Sequence, residues 1–282
     1  MRTQCNECGK KFTVEDNAFL TQINCKYCGA EFTATYAPEN RDVDINVNGH
    51  TDNTNAKTAK DEILEEIKAI KPNLAPILPA INAAILNKEN ESNTRLILDK
   101  ILQDVLGYAI EDMKTEQKIQ GKKADYVMSV EGKDVMVIEA KKAGMTLRDK
   151  QVFQATSYAA YSGIKWALLT NGAVWQLYRV TVMNKVKYIP MYSIDIREGL
   201  SRVRDAQYFY LLSKNGMKKQ NLLENLWIKI DALRYDNLVN TLLKDEILTA
   251  IAESLTEEFG CRLTAREVKA TLLTDILQIE SK

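Results

Sequence analysis

Midway along the chain the spacing of apolar residues changes twice. Up to Leu106 they recur at three- and four-residue steps through Asp61–Ile70, Leu74–Leu86 and Thr94–Leu106, and Gly107 ends the last run. This is the pattern of helices that bury one face. From Ala124 the spacing shortens: ADYVMSV and DVMVIEA alternate or run apolar, with Glu131-Gly132-Lys133 between them, which reads as two strands joined by a hairpin turn. A helix is expected over Leu147–Tyr161, followed by KWALLTN and AVWQLYRV about the Asn171-Gly172 turn and a further strand in KVKYIPMYSI. Helical spacing returns from about Glu198, clearest in Leu222–Leu233, Leu238–Leu255 and Ala265–Ile279. Helix, hairpin, helix, hairpin is the order of an α/β chain with a mixed sheet flanked by helices.

A different constraint lies at the start. Cys5-x-x-Cys8 and Cys25-x-x-Cys28 are two pairs separated by sixteen residues, the spacing of a four-cysteine zinc site. The pairs sit in a repeat, CNECGKKFT and CKYCGAEFT, offset by twenty residues. A tight turn aims two thiolates at one metal, and Gly9 and Gly29 permit that turn. About forty residues bury too little surface to fold unaided, so zinc would supply much of the folding free energy. Two disulfides or a redox dithiol are the competing readings. Such a closed site is structural, serving as a cap or as a contact surface for nucleic acid or protein. Cys261 is expected to be a buried small apolar residue.

Composition removes several classes of function. No apolar run approaches the ~18 residues of a membrane span, and the opening MRTQCNECGKKF lacks the apolar core of a secretory signal, so a cytoplasmic protein without a membrane partner is expected. Lysine plus arginine equal aspartate plus glutamate at 38 each, so any nucleic-acid surface must be local; Lys118, Lys122, Lys123, Lys141, Lys142, Arg148 and Lys150 supply one candidate. The single histidine, His50, falls in the polar stretch DINVNGHTDNTNAKT. Mechanisms that use histidine as a base are therefore not expected. No Gly-x-x-x-x-Gly-Lys-Ser/Thr phosphate loop occurs, so no ATP-driven motor is expected in this chain.

On DVMVIEA, side chains two apart share a face, so Glu139 and Lys141 project together at the strand end. Asp125 lies in the preceding strand, across a short hairpin. Two carboxylates offer the hard oxygen ligands that Mg²⁺ prefers. The ion would polarise a scissile phosphate and lower the pKa of an attacking water, with Lys141 orienting that water or stabilising developing charge.

Asp125, thirteen intervening residues, then Glu139-Ala140-Lys141 resembles the core motif of the PD-(D/E)xK nuclease superfamily, with Ala124 where many members have proline. The wider run ESNTRLILDKILQDVLGY, KKADYVM, VMVIEAKK, QATSY and WALLTNGAVWQLYR, from about Glu91 to Arg179, is similar to the N-terminal nuclease domain of the R subunit of type I restriction enzymes. The resemblance implies a restriction-endonuclease-like fold. It makes Asp125 and Glu139 magnesium ligands, Lys141 the catalytic lysine, Glu91 an additional helix carboxylate, and Gln154 and Tyr158 a Gln-x-x-x-Tyr pair that contacts the site or the DNA backbone. Trp166, Trp175 and Tyr178 are read as core aromatics.

The expected organisation is a zinc ribbon over 1–37, a linker over 38–58, a nuclease-like domain over 59–196 and a helical region over 197–282. The leading reading is a Mg²⁺-dependent DNA endonuclease of restriction or phage-defence type. The alternatives are a non-catalytic nucleic-acid- or protein-binding module, or one subunit of a larger defence complex. The C-terminal helices could complete the fold, form a homodimer or dock on such a partner.

Overall fold

Ile63, Ile67, Ile70 and Leu74 recur at helical steps and are buried, so that α1 (Asn55–Leu74) presents one apolar stripe inward. The computed structural model describes residues 2–4, 11–13, 22–33, 55–119, 121–182, 185–219 and 221–277. Residues 38–54 of the linker expected over 38–58, His50 among them, and Cys5 and Cys8 lie outside these residues, and the linker's last four residues, 55–58, belong to α1. Helix α2 (Leu78–Leu86) starts with Pro79 in its first turn, where a missing N–H costs nothing. The run read as one helix from Leu74 to Leu86 is thus broken over residues 75–77. Helix α3 (Glu91–Lys100) is capped by Asn90, whose side chain accepts the Asn93 N–H, and it continues into a π-helical turn over Ile101–Val105.

At the start of the chain, β1 (Arg2–Gln4) pairs with β2 (Lys11–Thr13), and β3 (Gln22–Asn24) with β4 (Glu31–Thr33). The twenty-residue sequence offset is therefore also a structural repeat of two short hairpins.

Six strands form the main sheet, in the order β10-β9-β8-β7-β6-β5. They are β5 (Met113–Ile119), β6 (Lys122–Val130), β7 (Lys133–Ala140), β8 (Trp166–Thr170), β9 (Val174–Val182) and β10 (Val186–Asp195). Only β7 and β8 run parallel, and α4 (Asp149–Tyr161) links them. All other neighbours are antiparallel hairpin partners. The sheet is therefore mixed, as the order of elements implies. Val130 pairs with Lys133 across Glu131 and Gly132, and both turn residues have positive φ, the geometry of a hairpin turn matched to strand twist.

One face of the sheet packs Val127, Val137, Ala167 and Leu169 against Val152, Ala155 and Ala159 of α4. On the other face Trp175 meets Phe209 of α5 (Val203–Tyr210) edge-on at 5.0 Å, and the Tyr126 hydroxyl donates to Asp99 of α3. Strands covered on both faces read as near-continuous apolar runs, which explains WALLT and MVIEA. Trp166, Trp175 and Tyr178 are buried.

The described chain divides into two units, Met1–Trp227 and Ile228–Lys282. The first also holds α6 (Lys214–Lys218) and most of α7 (Asn221–Ala232). The second contains α8 (Tyr235–Leu242), α9 (Asp245–Phe259) and α10 (Ala265–Thr271), around Leu248, Ala252 and Val268. The helical stretch read from Leu238 to Leu255 is interrupted at Leu243–Lys244. Cys261 is exposed rather than buried. It follows Gly260, whose left-handed conformation closes α9, and so lies in a surface connection. No single helix among the described residues is long and apolar enough to cross a membrane.

Candidate active site

Strand β7 runs through the middle of the sheet and delivers its last acidic residue into it: Glu139 is 1% exposed. Parallel pairing of Ala140 with Thr170, and a 2.8 Å bond from the Lys141 N–H to the Thr170 carbonyl, carry the strand's register past its end. One residue beyond the Tyr126–Ile138 pair, Asp125 comes opposite Glu139. Its Oδ2 accepts the Ala140 N–H at 2.8 Å, which ties the carboxylate to the strand that carries the other carboxylate. Lys141 donates through Nζ to Glu139 Oε1 at 2.6 Å, and Glu91 Oε2 stands 3.8 Å from the same Nζ. The structure thus brings Asp125, Glu139, Lys141 and Glu91 to one place.

Glu139 Oε2 is buried without a hydrogen-bond partner, which is costly for a carboxylate. Burial pushes the Glu139 carboxyl up to about 7, aided by the charges of Asp125 and Glu91 and opposed by Lys141. Burial works against the Lys141 ammonium, but the contact with Glu139 outweighs it and holds the pKa above the usual lysine value. A divalent cation on these carboxylates would occupy the orphaned oxygen and relieve this tension, so the residues present fit such an ion. Among the described residues no group of three or more His, Cys, Asp or Glu side chains is gathered as a metal site. Glu91 reaches the cluster through Lys141.

Helix α3 also supplies two residues that sequence reasoning missed. Thr94, buried, accepts the Ala143 N–H at 2.8 Å and donates to the Asn90 carbonyl, pinning the segment just past Lys141. Arg95 Nη1 donates to Glu116 at 2.7 Å and lies 3.8 Å from Asp125 Oδ1. The available signal was spacing: Arg95 is one turn beyond Glu91 and shares its helix face. From β8–β9, buried Asn171 donates to the Met145 carbonyl and accepts the Ala173 and Val174 N–H groups, so the hairpin turn braces the same segment.

The Gln154–Tyr158 pair is placed differently. Gln154 is exposed on α4, whereas Tyr158 is buried in the core beneath that helix with Val137 and Leu169. Neither makes a hydrogen bond to Asp125, Glu139 or Lys141 among the described residues. Of the basic residues, Lys118, Lys123, Lys142, Arg148 and Lys150 are exposed, and Lys123 pairs with Glu116.

In the second amino-terminal hairpin, buried Cys25 accepts the Tyr27 N–H on Sγ at 3.4 Å, while the Gly29 N–H closes onto the Cys25 carbonyl and Gly29 adopts a φ of +74°. Cys28 lies exposed in the same turn. Cys5 and Cys8 lie outside the described residues.

Residues 90–194 match the family model described as type I restriction enzyme R protein N terminus. The matched stretch contains Glu91, Asp125, Glu139 and Lys141. A solved structure of the type IIG restriction endonuclease BpuSI aligns with 63% of this chain at 17% identity and a TM-score of 0.28. The alignment spans 20% of that enzyme. No curated protein matches the chain significantly. By the family model alone, residues 90–194 of this protein are similar to the N terminus of the type I restriction enzyme R protein.

Proposed function

We propose that this protein is a divalent-metal-dependent endodeoxyribonuclease of a restriction or defence system, with a restriction-endonuclease-like fold. The observation that carries the reading is the convergence of Asp125, Glu139 and Lys141 at a sheet end, with one oxygen of Glu139 buried and unpaired. Similarity of residues 90–194 to a restriction-enzyme amino-terminal region supports it. Asp125 and Glu139 would hold Mg²⁺. When bound, that ion supplies Lewis-acid polarisation of the scissile phosphate and acidifies the attacking water.

The chain's own residues do the rest. The Ala140 N–H fixes the Asp125 carboxylate, and burial of Glu139 withholds competing water. Lys141 then presents an ammonium group where charge develops on the phosphate. Glu91 keeps that ammonium near the carboxylates. Gln154, exposed on α4, is available to the DNA backbone, and Tyr158 would act by fixing the helix that carries it. The four cysteines Cys5, Cys8, Cys25 and Cys28 would hold a structural Zn²⁺, and translocation or target choice would come from other subunits.

Incubating the purified protein with supercoiled plasmid and with single-stranded DNA, in Mg²⁺, Mn²⁺ or EDTA, tests the reading. Metal-dependent nicking or linearisation is expected. A protein that binds DNA yet stays inert in every metal would move the function to non-catalytic binding or to a partner-dependent complex.

A further inference from the structure

Arg95 and Glu116 form a construction beside the metal-ligand candidates that the nuclease motif does not include. Strand β5 pairs Thr115 with Tyr126 and Gln117 with Ala124, which leaves Glu116 opposite Asp125. There Glu116 adopts a φ of +55°, a left-handed conformation that a residue of this type adopts only when its surroundings hold it. Its carboxylate takes Arg95 Nη1 at 2.7 Å and also pairs with Lys123. Contacts with Lys123 first and Arg95 second hold the Glu116 carboxyl down at about 2.

Arg95 is fixed on three sides. Its guanidinium lies over the Tyr126 ring at 5.3 Å, Glu116 binds Nη1, and Asp125 Oδ1 lies 3.8 Å from that same nitrogen. Both carboxylate contacts fall on Nη1, so among the described residues the remaining N–H groups of the fork carry no carboxylate and can donate to an incoming anion beside the Tyr126 hydroxyl. The local charge agrees. Asp125, Glu139, Glu91 and Glu116 face Lys141, Arg95 and Lys123. Formally the cluster is one negative, and a divalent cation makes it one positive, the complement of a phosphodiester.

We infer that Arg95, locked by the left-handed Glu116, binds a backbone phosphate of the nucleic-acid strand next to the metal-ligand carboxylates. This rests on the nucleic-acid reading above but not on cleavage. It also predicts that DNA docks only once a divalent ion has offset the carboxylates.

Anisotropy of a labelled DNA duplex with the full-length protein, in Ca²⁺ and in EDTA over a series of salt concentrations, tests it. Arg95→Met should weaken binding in Ca²⁺ by roughly ten- to a hundredfold. It should also reduce the slope of log K against log salt by about one. Arg95→Lys should retain the slope. Glu116→Gln should fall between wild type and Arg95→Met, and the double variant should be no weaker than Arg95→Met. Mn²⁺ affinity by calorimetry should not fall in Arg95→Met or Arg95→Lys, since neither change adds positive charge beside Asp125. An Arg95→Met protein with wild-type DNA affinity and slope overturns the inference. So does one that loses Mn²⁺ while keeping DNA, because Arg95 would then act only by positioning Asp125 for the metal. Wild-type protein that does not bind DNA overturns it as well. Protein that binds with the expected Arg95 dependence but never cuts leaves the inference standing and removes the nuclease reading.

Discussion

Glu139 is held at the end of an apolar strand with one oxygen on Lys141 and the other on nothing. In metal-free protein its folded-state pKa of about 7 lies above the ordinary glutamate value. The sign follows: a carboxyl with a raised pKa favours folding most fully below its unfolded pKa, and that contribution is lost as pH rises through about 7. Thermal unfolding in EDTA should therefore show stability declining across this window in wild type and a flatter profile in Glu139→Gln. Equal slopes in the two proteins would mean that Glu139 is not the buried acid described above. Asp125, Glu139 and Lys141 were legible in the sequence because spacing on a strand decides which side chains meet. Arg95 and Glu116 were not. Their meeting depends on a break in the β5–β6 pairing at Glu116 and on its left-handed backbone, neither of which leaves a residue-type signature.

Among the elements, those with an apolar period were readable and those without were not. Strand β5 has the sequence MKTEQKI with five exposed residues between two half-buried ends. It owes its place to backbone pairing with β6 rather than to burial, so hydrophobic alternation could not reveal it. Helices α5 and α6 were read only as a helical region, because their placement depends on a close approach. A Cβ on Gly216 of α6 would lie 2.2 Å from the Tyr210 carbonyl oxygen and 3.0 Å from Leu211 Cα. That clash is with backbone, which cannot swing aside. Gly216→Ala should cost at least about 1–3 kcal/mol, measured by urea denaturation; a wild-type midpoint would show that α6 can shift at no cost.

For the molecule as a whole, 38 basic and 38 acidic residues cancel, so the charge that matters to the site is local: Asp125, Glu139 and Glu91 beside Lys141 and Arg95. The amino-terminal hairpins repeat the same strand pairing at a twenty-residue offset, with a cysteine pair in each sequence unit. If the four thiolates share one ion, elemental analysis should find about one zinc per chain, lost in a Cys25→Ser, Cys28→Ser protein. Zinc-free protein in which all five cysteines, Cys261 included, react as free thiols would exclude the shared site. The sheet-end cluster is tested most directly by measuring Mn²⁺ binding by electron paramagnetic resonance alongside plasmid cleavage, in wild type, Glu139→Ala and Lys141→Ala. Wild type should bind the ion and cut, and Lys141→Ala should bind it but cut at least about a hundredfold more slowly. Glu139→Ala should do neither. Cleavage that survives in either variant at the wild-type rate would contradict the assignment of Asp125, Glu139 and Lys141 as the active site.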